Sequence, residues 1–296
     1  MNHLNRRAIL KVGGTLALGV PLAGRSGIAA AAELAPSPAS SDPFALVHPE
    51  LREAAARLPR MPDSFMFSDR ILPMVRASAA SRMGAQLPDV TVEERRIAGT
   101  ANAPDLPIYI INARPGTSRP AILHMHGGGF FIGSAKSDVP GLQEIAKSLD
   151  CVIVTVDYRL APEAQWQGSL EDNYAGLKWL FAHADTLGAD RSRIAVMGGS
   201  AGGGHAALLA IAACDRGEVP LALQVLSYPM LDDRTGSTRK VADHIGRIGW
   251  RRQDNSFGWR SFLGQEPGGR SVPSAAVPAR VTNLAGLAPA FIGVGA

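Results

Sequence analysis

Residues 198–202 read Gly-Gly-Ser-Ala-Gly, a serine with a glycine two positions to either side. Taken alone the pattern is weak, because all three residue types are common. Its setting gives it weight. An apolar run, Ile194–Met197, leads into it, and a small, apolar, helix-like stretch, 201–214, leads out. A serine on a tight strand-to-helix turn has its hydroxyl exposed at the carboxyl edge of a sheet, where open α/β sheets bind ligands. Gly198 and Gly202 leave room for neighbouring chain, and the positive end of the following helix favours a developing oxyanion. Ser200 is therefore the candidate nucleophile. A phosphate loop fits less well, since neither G-x-x-x-x-G-K-[ST] nor G-x-G-x-x-G is present here.

A second chemical motif, His126-Gly127-Gly128-Gly129-Phe130, follows the apolar run Ala121–Met125. Three successive glycines allow backbone N–H groups to converge on one point, and each such donor stabilises a tetrahedral oxyanion by roughly 3 kcal/mol. In a loop of this type the glycines form the hole and the histidine orients it, so His126 is not expected to be the base. His205 lies five residues beyond Ser200 on the same helix, which turns it away from the serine.

A third stretch, Asp157-Tyr158-Arg159-Leu160-Ala161-Pro162-Glu163, follows the β-branched run Cys151–Val156, and Ser227-Tyr228-Pro229-Met230-Leu231-Asp232 follows another strand-like run. With these motifs in this order, the chain resembles the hormone-sensitive-lipase-like branch of the α/β-hydrolases, mostly carboxylesterases. The resemblance covers about residues 90–296 and a helical segment before them that looks like part of the family's cap. It implies Ser200 as nucleophile and oxyanion donors from the N–H groups of Gly128, Gly129 and Ala201, with His126, Gly127, Gly198 and Gly202 as motif support. It implies a small-molecule carboxylic ester as substrate, of short or medium acyl length, and an acyl-serine intermediate. No metal or organic cofactor is expected, because the donors are backbone groups. Arg159 and Glu163 are expected to support rather than to react. Two positions depart from the family: Gly199 stands where Asp often precedes the serine, and Trp166-Gln167 stands where an aromatic–proline pair is usual.

The family's triad continues with an acid after the strand that Ala290–Val294 resembles and a histidine one strand later. After Ser200 this sequence has only His205 and His244, and Asp232 and Asp233 match a structural stretch, so the triad acid and base are expected to be absent from these 296 residues. The expectation is a chain without its carboxyl-terminal strands, short by about 30 or more residues, with little turnover of its own. Two alternatives stay open: a catalytically inactive protein on the same scaffold, and an amidase or peptidase using the same elbow and loop.

The elements that must position these residues follow from periodicity. Val90–Ile97, Ile108–Ile111, Ala121–Met125, Cys151–Val156, Ile194–Met197, Leu221–Leu226 and Ala290–Val294 read as strands, several unbroken enough for a parallel sheet covered on both faces. Helical patterns lie between the later ones. Ser169, with Asp172 three residues on, reads as a helix cap, and Leu170, Tyr174, Leu177, Leu180 and Ala184 form one stripe. The fold class is α/β, a mostly parallel sheet with helices on both faces and a helical cap. Residues 43–84 hold two helix-like stretches with nothing catalytic in them. Residues 232–270 read as an irregular excursion with one or two short helices, its aromatics packing and Arg247, Arg251 and Arg252 forming a solvated face.

Composition narrows the classes. With 46% hydrophobic and 19% charged residues the chain is globular rather than disordered. Of 30 Lys and Arg, four (Arg6, Arg7, Lys11, Arg25) lie in residues 1–32, which hold no acid; setting them aside leaves 26 basic against the 26 acidic side chains. That balance argues against a nucleic-acid surface. Arg6-Arg7, an uncharged run from Val12 to Gly24 and Ala29–Ala32 resemble a twin-arginine export signal over 1–32. The run is too short for a stable membrane span. The expected organisation is a signal over 1–32, a linker and cap segment over 33–89, and a catalytic domain over 90–296, in a protein exported to the periplasm or beyond. Cys151 and Cys214 both read as small buried hydrophobes, not as a bridge.

Overall fold

The computed structural model describes residues 42 and 44–295, apart from 59, 60, 63, 81–83, 101, 102 and 243. The export-signal reading over 1–32 lies outside the described residues. The chain builds a seven-stranded sheet from β1 (Val92–Ile97), β2 (Leu106–Ile111), β3 (Arg119–Met125), β4 (Val152–Val156), β5 (Ala189–Gly199), β6 (Leu223–Ser227) and β7 (Ala290–Gly293). Their order across the sheet is β1-β2-β4-β3-β5-β6-β7. The β1–β2 and β2–β4 pairs are antiparallel, and every pair from β4 to β7 is parallel. The mostly parallel α/β class expected from the strand runs is thus the observed one.

Helices cover both faces, as continuous apolar strands require. On one face α3 (Ala135–Leu149) buries Val139, Leu142 and Ile145 among Ile111, Ile122, Ile153 and Met197. On the other, α4 (Trp166–Leu187) and α5 (Ala201–Arg216) bury Leu170, Leu177, Leu180 and Leu208 among Leu123, Val154, Val156 and Val196. The amino-terminal segment forms α1 (Pro49–Ala56) and α2 (Leu72–Ala80). The 232–270 excursion carries one 12-residue helix, α6 (Arg252–Leu263), whose Trp259 and Phe262 pack on Phe130. No helix among the described residues is long and apolar enough to cross a membrane.

Three expectations are corrected. Ser169 is not a cap: α4 begins at Trp166 with Gln165 before it, and Asp172 is taken up by Arg159. Cys214 is exposed, because the buried stripe of α5 ends at Ala213; only Cys151 is buried, and both are free thiols. Arg251 does not belong to a solvated face. It is buried, paired with Asp254, and donates to the carbonyls of Pro62 and Phe65, whereas Arg247 and Arg252 are exposed.

Candidate active site

Ser200 sits between the last residue of β5 and the first of α5, with φ 56° and ψ −122°. This is a sparsely populated conformation for a residue with a Cβ, costing about 1–3 kcal/mol, and it persists only where the surroundings enforce it. Here they do. The Ser200 N–H donates to Ser227 O at 2.9 Å, and its carbonyl accepts from Gly204 N at 3.1 Å and Met230 N at 2.9 Å. The glycines around it answer to space. A Cβ at Gly202 would overlap the Met125 carbonyl oxygen, and one at Gly198 would overlap the Gly202 backbone.

The 126–130 loop leaves β3, the strand beside β5, so the two motifs meet at the same sheet edge. A Cβ at Gly127 would lie 3.1 Å from Gly199 O and 3.7 Å from Ser200 Cβ. Gly128 takes φ +121°, and its carbonyl accepts from the N–H groups of both Phe131 (3.1 Å) and Ile132 (2.9 Å). Among the described residues no acceptor is recorded for the N–H of Gly128 or Gly129. Ala201, buried at the start of α5, is where a helix has no internal acceptor for an N–H. Phe130 is held at φ 74° by full burial against Phe262 (4.1 Å between ring centres) and Trp259 (5.0 Å).

His126 supports this loop from below. Its Nδ1 donates to Gly127 O at 2.8 Å, its ring stacks on Tyr158 at 4.1 Å, and Tyr158 Oη donates to His126 O at 2.6 Å. Burial lowers its pKa from the ordinary histidine value. His205, on α5, packs its ring among Tyr158, Phe130 and Phe262, with neither ring nitrogen hydrogen-bonded, and burial pushes it down to about 3. His244 is exposed. Asp232 pairs with Arg234 and Arg239, and the buried Asp233 pairs with Arg280. Among the described residues no group of three or more His, Cys, Asp and Glu is placed to hold a metal.

Two supporting contacts stand behind the motifs. Arg159 makes a two-pronged pair with the buried Asp172 (2.8 Å for each prong) and donates its N–H to the same carboxylate at 2.9 Å. Glu163 pairs with Arg76 of α2 at 2.7 Å. The sequence gives no sign of the roles of three further residues: Arg76, the buried Arg251 and Tyr228. A Cβ at Gly199 would lie 3.3 Å from Tyr228 Oη, so the tyrosine occupies the space an acid at 199 would need. The backbone carbonyls that Arg76 and Arg251 reach carry no local signal, because they lie 55 to 189 positions away.

The chain is similar to known proteins across most of its length. Residues 122–296 match the family described as the alpha/beta hydrolase fold. Esterase LipI of Mycobacterium tuberculosis is 36% identical over 210 residues, which is 70% of this chain and 64% of that protein. Mouse hormone-sensitive lipase is 42% identical over 86 residues, 29% of this chain and 11% of the lipase. Among solved structures a bacterial heroin esterase superposes with a TM-score of 0.73 at 38% identity, covering 85% of this chain and 80% of the esterase. The chain spans less than two thirds of LipI's length. With the parallel sheet, the serine elbow and the glycine loop at one edge, these matches show that the chain belongs to the α/β-hydrolase family, in its hormone-sensitive-lipase-like branch.

Proposed function

We propose that the protein hydrolyses small carboxylic esters through an acyl-serine intermediate on Ser200. One observation carries this reading: Ser200 is held at φ 56° on a strand-to-helix elbow with the triple-glycine loop alongside it, a Gly127 Cβ position only 3.7 Å from Ser200 Cβ. The names of the relatives, esterases among them, support it. Ser200 Oγ forms a bond to the ester carbonyl carbon and gives up its proton to a base. The oxyanion rests against the N–H groups of Gly128, Gly129 and Ala201. The C–O bond to the alcohol breaks as the alcohol takes a proton, and water then releases the acid from the acyl-serine. The nearby histidines do not suit the base: burial lowers the pKa of His126, whose Nε2 is enclosed without a hydrogen-bond partner, and pushes His205 down to about 3.

That last point favours a second reading, a binding protein on the same scaffold. The test is hydrolysis of p-nitrophenyl acetate by protein expressed from the complete reading frame. The expected outcome is turnover, with Ser200→Ala lowering kcat by about 10⁴-fold or more. Full activity in Ser200→Ala would refute the serine mechanism, and no turnover in either protein would favour the binding reading.

We further infer that residues 1–32 direct export by the twin-arginine route and that 33–89 link and cap a catalytic domain over 90–296. The basis is Arg6-Arg7 ahead of an uncharged run and an alanine stretch. Replacing both arginines with lysine should leave the protein in the cytoplasm on fractionation; unchanged export would count against the route.

A further inference from the structure

We propose that Arg76 is a positioning residue for the oxyanion loop, holding the Phe131 backbone and through it the turn that presents the Gly128 and Gly129 N–H groups. This rests on the ester-hydrolase reading above. Arg76 lies on α2, fifty residues ahead of the glycine motif, in a segment whose sequence shows no chemistry. Its guanidinium nonetheless reaches three acceptor groups on two pieces of chain. Nε donates to Phe131 O at 2.8 Å. Nη2 donates to Ala161 O at 2.8 Å and to Glu163 Oε2 at 2.8 Å, and Nη1 donates to Glu163 Oε1 at 2.7 Å.

Each acceptor bears on the loop. Phe131 is the residue after the His126–Phe130 motif. Its N–H closes the turn on Gly128 O, while its own carbonyl is held by Arg76, so the residue is fixed at both backbone ends. Ala161 donates its N–H to Phe130 O at 2.9 Å and accepts from Arg76, which ties the preceding residue, Phe130, to the same guanidinium. Glu163 fixes the plane of the fork from the far side, and the Arg76 contact holds the Glu163 carboxyl below its ordinary range. A second contact from the same segment agrees with this arrangement: the Phe67 ring packs edge-on to Phe131 at 4.9 Å.

The contribution is geometric rather than Coulombic. Glu163 is well exposed, and an ion pair so open to water contributes little by itself. The planar fork matters because it reaches two carbonyls and a carboxylate in fixed directions at once, which an ammonium on a flexible stem does not do. Seating of α2 and shaping of the oxyanion loop are thereby one event.

The experiment uses protein from the complete reading frame and its Arg76→Lys and Glu163→Ala variants. Amide hydrogen exchange is read at Phe131 and Ile132, the two N–H groups bonded to Gly128 O, with Val154 in the middle of the sheet as reference. Arg76→Lys should exchange these two amides roughly tenfold faster with Val154 unchanged. It should lower kcat on p-nitrophenyl acetate roughly 10–100-fold, the scale of a slightly misplaced catalytic group, with KM within about twofold. Affinity for a trifluoromethyl ketone, which forms an oxyanion on Ser200, should fall in step with kcat. Glu163→Ala, which leaves the carbonyl contacts but frees the fork, should move exchange and kcat by about two- to fivefold, and it decides the matter if Arg76→Lys does not fold. Wild-type exchange and kcat in Arg76→Lys, or in Glu163→Ala where that variant decides, would overturn the proposal while leaving the ester-hydrolase reading intact. Faster exchange in Arg76→Lys, with wild-type protein that turns over no ester, would instead overturn the ester-hydrolase reading and leave Arg76 as the support of the loop.

Discussion

The Ser200 backbone and the His205 ring illustrate opposite ways of placing a polar residue at one helix start. Ser200 takes a strained conformation and has its N–H and carbonyl fully bonded to Ser227, Gly204 and Met230. His205, five residues later, takes ordinary helix geometry but buries two unpaired nitrogens. Its proton affinity follows. Folding lowers it to about 3, as it does for His124, whose Nδ1 is paired with Thr155 Oγ1 at 2.9 Å. The unfolded chain binds those two protons first as pH falls through about 6.5, so the stability they contribute is complete above that pH and is lost toward pH 3. Asp138 works against them: burial pushes it up to about 7, so the folded state keeps a proton that the unfolded state has released above about pH 4. From these three groups, stability rises with pH between about 4 and 6.5 at close to one proton's slope, about 1.4 kcal/mol per pH unit. His126, also lowered by burial, adds to the slope of the whole protein, so His205→Leu should reduce the measured slope by about one proton's worth, about 1.4 kcal/mol per pH unit, in urea unfolding at several pH values. A variant with the wild-type slope would show that His205 stays neutral in both states or is not buried as described.

At the scale of elements, two arginine–carboxylate pairs stand near helix starts. From within α4, Asp172 gives its carboxylate to Arg159 rather than to a cap at Ser169, and the helix runs from Trp166. Arg251 stands at the N-cap of α6, where its backbone N–H and its guanidinium both donate to the Asp254 carboxylate, and the guanidinium also reaches the carbonyls of Pro62 and Phe65. Side chains of this pair are 10% and 4% exposed. Removing one member of so buried a pair strands the other charge, at a cost of about 3–5 kcal/mol. Asp254→Asn should therefore lower the urea midpoint substantially and loosen the 62–67 segment, read by limited proteolysis. A loss under about 1 kcal/mol would mean that water reaches the pair.

Across the described residues as a whole, the sheet is covered on both faces and β7 is its last strand on one side. Phe291 and Ile292 are 51% and 52% exposed, beside β6 on one side and no further strand among the described residues on the other. An open edge with apolar side chains invites pairing between copies. In the 296-residue polypeptide, Ile292→Lys should lower aggregation, followed by light scattering, with stability changed by about 0.5 kcal/mol or less, as for other surface changes. Equal aggregation in the two proteins would remove β7 from suspicion.

Patterns with short range were legible in the sequence. β-branched runs gave the strands of a parallel sheet, because a strand buried on both faces has to be apolar at every position. The serine elbow and the triple-glycine loop were legible because the backbone itself demands glycine where chains pass this closely, as Gly202 does against the Met125 carbonyl. What depended on distant partners was hidden. Nothing near Arg76 or Arg251 announces that one holds Phe131 and Pro162's neighbour Ala161 while the other is buried beneath the amino-terminal segment. Nothing near Gly199 foretells that Tyr228 takes the space where the family often has an acid. Local residue types determine which element forms and where a turn must be free of side chains. Which carbonyl an arginine reaches, and which thiol stays in water, is decided only when segments far apart in the chain are packed together, because those energies belong to pairs and not to single residues.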